Sequence, residues 1–159
     1  MRRARPAFTL VEILIVVIIL GILAGIVIPN ITSVTDIARE TNLKENLSKI
    51  RAHIQVYRNQ HAEFPTGDEF IAQMTKYSSF TGGTADARTD VFRFGPYLEQ
   101  MPPNPISSLS TIRKSTNPAE VFPPGDIDGG WWFNEVTGAF FADLMNSHAD
   151  QDGVRYNHY

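Results

Sequence analysis

The chain has 159 residues, of which 43% are hydrophobic, and a formal net charge of −3 at pH 7. This length fits one modest domain with an appendage, and the acidic balance gives no reason to expect a nucleic acid as partner. Because the sequence contains no cysteine, it excludes disulfides, thiolate metal sites and thiol nucleophiles. Most of the prolines and glycines follow residue 60, so we expect the C-terminal part to be rich in loops.

Residues 8–28 form an almost uniformly apolar stretch in which Glu12 is the only charged residue. A helix of this length would measure about 31 Å, which matches the ~30 Å hydrocarbon core of a bilayer. Arginines precede the stretch, and the positive-inside rule then predicts a cytoplasmic N-terminus and an exported remainder. A secretory signal peptide is the alternative, but it needs a shorter apolar run and a small-x-small cleavage site. The sequence therefore predicts a membrane span over residues 8–30.

The start of this segment reads Arg5-Pro6-Ala7-Phe8-Thr9-Leu10-Val11-Glu12, and Pro29 lies near its end. This pattern resembles the N-terminus of type IV pilins and type II secretion pseudopilins. The resemblance implies a leader peptide over residues 1–7, cleavage between Ala7 and Phe8, and N-methylation of Phe8. It also implies that Glu12 is the family's glutamate near the new N-terminus. The family usually has glycine at the position of Ala7, so that residue departs from its pattern.

Glu12 is costly in lipid, because a charged side chain at the bilayer centre is disfavoured by roughly 2.5–3.5 kcal/mol on insertion scales. After cleavage, the cationic amine of Phe8 would lie about one helical turn away. Pairing with that amine, in the same subunit or in a neighbour, relieves the penalty on both charges. A glutamate that snorkels to the headgroups without a partner is the alternative. We predict that Glu12 and Phe8 dock subunits together.

The helical pattern continues beyond the membrane segment as a one-sided apolar stripe. It predicts one helix from about Phe8 to about Gln60, with residues 31–62 as its amphipathic half. Pro29 lacks an N–H group and crowds the carbonyl of Gly25, so a kink is expected there. The stripe consists of Leu43, Leu47, Ile50, Ile54 and Tyr57.

Residues 63–159 are predicted to form a globular α+β head. Thr66-Gly67-Asp68-Glu69 reads as a capping box for a short helix with Phe70, Ile71 and Met74 buried, and residues 91–94 form a possible short strand. Two aromatic runs around a connection that ends in glycine predict a β-hairpin near residues 130–143. The expected fold class is α+β: a pilin-like lollipop in which a long N-terminal helix, with a transmembrane and an amphipathic half, packs on a small antiparallel sheet.

The histidines match no metallohydrolase spacing, and the sequence has neither a nucleophile elbow nor a phosphate-binding glycine loop. We therefore expect no enzyme activity. His53, Tyr57 and His61 can share one helix face, which we interpret as a polar margin beside the core.

Calcium is the one cofactor that the family resemblance suggests, since major pseudopilins commonly bind it with acidic residues in a C-terminal loop. Carboxylate oxygens are ligands that Ca²⁺ prefers. Solvated turn carboxylates are the alternative, because the family's calcium loop is not matched residue by residue. The candidate ligands are Asp126, Asp128, Asp143, Asp150 and Asp152.

The resemblance implies a structural subunit of a type II secretion pseudopilus, held in the bacterial inner membrane with a periplasmic head and moving into a filament. Its implied partners are copies of itself, other minor pilins or pseudopilins, the prepilin peptidase, membrane lipid, and an inner-membrane platform with a cytoplasmic ATPase. Two alternatives stay open: a type IV pilus pilin, and a membrane-tethered periplasmic binding domain.

Overall fold

The computed structural model describes residues 8–150 and 152–159, and for residues 25–34 it describes the backbone alone. The predicted leader with Ala7 lies outside the described residues, and so does the side chain of Pro29. The predicted kink and leader cleavage therefore stay predictions. The chain divides into two compact units, with the boundary after Ala38.

Helix α1 spans Leu10–His61, which confirms the prediction of one long N-terminal helix. It ends where Ala62 adopts a φ of 63° and donates its N–H to Arg58 O at 2.8 Å, an αL-type helix end. Pro65 follows and disfavours helical backbone at Phe64. In the part of the chain that the structure describes, none of the helices carries an apolar stretch of the length needed to cross a membrane.

Small elements follow α1. Helix α2 spans Phe70–Thr75, and strands β1 (Tyr77–Ser78) and β2 (Thr84–Ala85) pair antiparallel. The predicted capping box is wrong, because α2 begins later than expected and Glu69, at its N-cap, makes no side-chain capping bond. Ile71 is 43% exposed, and Gln73 is buried on this helix instead.

A three-stranded sheet consists of β3 (Ile112–Ser115), β4 (Trp131–Asn134) and β5 (Phe140–Ala142), in that order. Strands β4 and β5 form the predicted hairpin, with Trp131 opposite Ala142 and Phe133 opposite Phe140. β3 pairs with β4 in parallel, so the sheet is mixed rather than purely antiparallel. The possible strand at residues 91–94 contributes only an isolated bridge between Phe94 and Ser78.

The core forms between α1, α2 and the sheet. All five residues of the predicted stripe on α1 are at most 2% exposed, which confirms the interpretation of that face. They pack in one cluster with Phe70 and Met74 of α2 and with Trp131, Phe133 and Phe140 of the sheet. Every residue of β4 is buried, as expected for the central strand of the sheet.

Candidate assembly site and C-terminal acidic loops

Glu12 closes a reciprocal capping box at the start of α1. The backbone N–H and the hydroxyl of Thr9 each donate to Glu12 Oε2 at 3.0 Å, and the N–H of Glu12 donates to Thr9 Oγ1 at 3.2 Å. This pattern satisfies backbone donors that the first turn of a helix otherwise leaves without partners. The signature Thr-x-x-Glu at residues 9–12 was available in the sequence, and our sequence analysis missed it.

The capping role leaves Glu12 able to bind a second partner. Both Thr9 bonds fall on one carboxylate oxygen, whereas a carboxylate can accept hydrogen bonds on two. The Glu12 side chain is exposed, and Phe8, the residue at the predicted cleavage point, is 79% exposed just before the helix. Local helix capping and docking to another subunit are therefore compatible functions of the same carboxylate.

The first turns of α1 display a continuous apolar surface. Each large apolar residue from Phe8 to Leu23 is between 50% and 82% exposed. Apolar residues normally pack against something, and an extended exposed apolar surface marks a site of contact with lipid or protein. Since these residues surround the helix rather than lie on one side of it, the segment suits a site enclosed by lipid or by other helices.

Asp126 and Asp143 are joined by one arginine. Arg113 Nη1 donates to Asp126 Oδ1 at 2.8 Å and Arg113 Nη2 donates to Asp143 Oδ1 at 2.5 Å. Arg113 lowers the pKa of Asp126, whereas burial raises the pKa of Asp143 against the opposing effect of Arg113. Two of the five candidate calcium ligands therefore already share an internal cation.

The other candidate acids have separate partners. Asp128 accepts from the N–H of Met145 at 3.0 Å, a bond that lowers its pKa, and it also pairs with His148 at 3.1 Å. The hydroxyl of Tyr159 donates to Asp150 and lowers its pKa.

Asp152 donates its own N–H to Asp150 Oδ1 at 2.9 Å. Within residues 8–150 and 152–159, no three histidine or carboxylate side chains come together as a metal site would require. The described residues therefore do not fit a calcium ion at these positions.

Comparison with other proteins identifies the N-terminal pattern. Residues 2–28 match the prokaryotic N-terminal methylation motif. The type II secretion system core protein G of Pseudomonas aeruginosa is 29% identical over 124 residues, covering 78% of this chain and 78% of that protein. The chain is therefore similar to type II secretion pseudopilins, both in its N-terminal motif and over most of its length. The resemblance predicted from residues 5–30 and the pilin-like α+β fold class are thereby confirmed.

Two further relatives show how this pseudopilin-like chain relates to the branches of the family. The type II secretion system core protein G of Vibrio cholerae is 29% identical over 104 residues, covering 65% of this chain and 66% of that protein. The type IV narrow pilus major component PilA5 of Thermus thermophilus is 34% identical over 65 residues, covering 41% of this chain and 56% of that protein. The likeness to the core G proteins thus extends over more of the chain. No solved structure matches it significantly.

His61 lies within a polar cluster that the sequence interpretation placed at the margin of the core. The side chain is 5% exposed. Its Nε2 lies 3.0 Å from Tyr97 Oη and 3.1 Å from Ser78 Oγ, and its Nδ1 lies 3.1 Å from Phe80 O. The marginal position was therefore wrong for His61. The hydrogen bonds of His61 join the end of α1 to the segment that contains β1. No local sequence signal predicts this structural role.

Proposed function

We propose that this protein is a structural subunit of a type II secretion pseudopilus, which polymerises from the bacterial inner membrane to drive protein export. The observation that carries the proposal is the methylation motif over residues 2–28, which continues into a helix with an exposed apolar surface. The core G proteins of type II secretion systems, which align with most of the chain, support this branch of the family.

The proposed maturation begins with cleavage between Ala7 and Phe8 by a prepilin peptidase and N-methylation of Phe8. Arg2, Arg3 and Arg5 precede the cleavage point, so the basic leader stays on the cytoplasmic side and the unit from Arg39 onward is periplasmic. The inner-membrane platform and its cytoplasmic ATPase then supply the work of extracting the subunit from lipid.

Glu12 provides the specificity of the assembly step. Apolar side chains gain little when they move from lipid to a bundle of helices, because lipid tails are equally apolar. The carboxylate of Glu12, by contrast, is disfavoured in lipid and is relieved when it pairs with the methylated amine of Phe8 in a neighbouring subunit. The register of the filament is therefore set by this pair, while the apolar surface makes the contact continuous.

Glu12→Gln tests the proposal without removing the capping box. Glutamine also accepts a hydrogen bond at this capping position, so the variant keeps the start of α1 and loses only the charge. We expect normal membrane insertion and a loss of filaments of at least about tenfold, given that a buried charge pair is worth several kcal/mol. The measurement is the amount of this protein in filaments sheared from cells, relative to the membrane fraction.

Glu45→Gln is the matched control, since Glu45 lies on the same helix in an exposed pair with Lys49. It should assemble like wild type. Normal filament yield for Glu12→Gln would refute docking through the charge, and failure of the control would show that any change in α1 disturbs assembly.

A type IV pilus pilin is the second candidate, favoured by the 34% identity to PilA5 of Thermus thermophilus. Deletion of the gene separates the two functions. If the protein is a pseudopilus subunit, the deletion should abolish release of secreted proteins into the medium and leave surface pili intact. Loss of surface pili with normal secretion would instead establish the type IV pilus alternative.

A further inference from the structure

An arginine bridge occupies the position between two acidic residues that the family resemblance marks as candidate calcium ligands. Arg113 lies on β3, Asp126 lies in the connection between β3 and β4, and Asp143 directly follows β5. We propose that the guanidinium of Arg113 replaces a metal ion here, and that the C-terminal unit folds and stays folded without calcium. This inference concerns that unit alone and is independent of the proposed function.

Burial makes Arg113 necessary for Asp143. The Asp143 side chain is 2% exposed and that of Arg113 is 28% exposed. An ionised carboxylate at such a depth is strongly disfavoured unless a cation or several donors compensate it. Arg113 supplies that cation from the neighbouring β3–β4 pair, so the sheet itself carries the compensating charge.

The chain leaves little space for a metal ion beside Asp143. The Gly129 N–H donates to Asp143 O at 2.7 Å, and the Asp143 N–H donates to Gly130 O at 3.2 Å. A Cβ atom at Gly129 would lie 2.5 Å from Asp143 Oδ2, so the backbone passes directly against the carboxylate. The second oxygen of Asp143 therefore faces main chain, while the first faces Arg113.

The chemistry of the two cations differs in what each requires from the protein. Ca²⁺ takes six to eight oxygen ligands, and the described residues bring no three acidic or histidine side chains together. A guanidinium has five N–H donors in a rigid fork and can join two carboxylates without further ligands. Asp126 and Asp143 provide those two carboxylates. The two carboxylates thus suffice to bind the arginine, whereas they are too few to bind a calcium ion.

The test is the thermal unfolding midpoint of the full-length chain in detergent micelles, followed by the fluorescence of the buried Trp131 and Trp132. We expect the wild-type midpoint to be the same in EGTA and in excess CaCl₂. Arg113→Gln should lower it by roughly 10 °C, because it leaves Asp143 buried without a counter-charge. The double variant Arg113→Gln with Asp143→Asn should recover part of that loss, since the neutral amide removes the uncompensated charge.

Arg88→Gln is the control, because Arg88 is also an arginine of the C-terminal unit but is exposed; its midpoint should equal that of wild type. If Arg113→Gln does not fold, Arg113→Lys, which keeps the charge and loses the fork, should fold with an intermediate midpoint. A wild-type midpoint that falls in EGTA or rises in CaCl₂ would overturn the inference. An Arg113→Gln midpoint equal to that of Arg88→Gln would overturn it as well.

Discussion

Tyr57 is a buried titratable residue at the C-terminal end of the α1 stripe. It is 2% exposed, and burial, followed by smaller effects of Tyr97, Glu69 and Glu63, raises its pKa to about 12. Its ring also stacks on His61 with the ring centroids 4.0 Å apart. A single phenol is thus linked to both the apolar core and the polar cluster at the end of α1.

Tyr57 predicts a loss of stability at alkaline pH. An unfolded tyrosine titrates near pH 10, so the raised folded pKa gives a contribution that is fully present below about pH 10 and is lost as the pH rises to about 12. In Tyr57→Phe that loss should be smaller by on the order of 2 kcal/mol. Denaturant unfolding of both proteins between about pH 9 and 12 measures the difference. Equal alkaline losses in the two proteins would contradict the assignment.

At the scale of elements, Asn134 at the end of β4 binds the long loop between β3 and β4. Its Nδ2 donates to Asn117 O at 2.8 Å and to Glu120 O at 3.1 Å. Its Oδ1 accepts from the N–H groups of Val136 and Thr137 at 3.0 and 3.1 Å. One fully buried amide therefore fixes both the connection from β3 and the turn to β5.

Asn134→Leu should destabilise the sheet by about 2–4 kcal/mol, because it removes the four hydrogen bonds that the buried amide makes. Thr137→Ala, in the same turn but exposed, should change the free energy of unfolding by less than about 1 kcal/mol. Denaturant titration of each variant is the measurement. If the two variants were equally stable, the connection would be held by something other than Asn134.

The elements that the sequence predicted are those with a local, repeated signal. The spacing of Leu43 to Tyr57 identified the buried face of α1, and the paired aromatic runs identified the β4–β5 hairpin. The parallel pairing of β3 could not be predicted, because it depends on a contact between residues far apart in sequence and on the loop held by Asn134. For the site, the family resemblance and the lone charge in the apolar stretch pointed to Glu12, whose docking role stays a prediction. The Arg113 bridge could not be predicted, because it arises only when β3, the loop and the end of β5 meet.

At the scale of the whole chain, apolar surface is distributed in two ways. The C-terminal unit packs a set of aromatic and aliphatic residues into one buried core, whereas the large apolar residues from Phe8 to Leu23 remain at least half exposed. A protein that left this surface in water would aggregate. In the filament account, that surface is covered first by lipid and then by the helices of other subunits.

The most direct test of this account is the intact mass of the protein in filaments sheared from its native host. We predict that the recovered subunit begins at Phe8, lacks residues 1–7, and carries one additional methyl group on its N-terminus. Recovery of the chain only from membranes, with residues 1–7 still attached and no methyl group, would contradict the account, because the amine proposed to meet Glu12 would not exist.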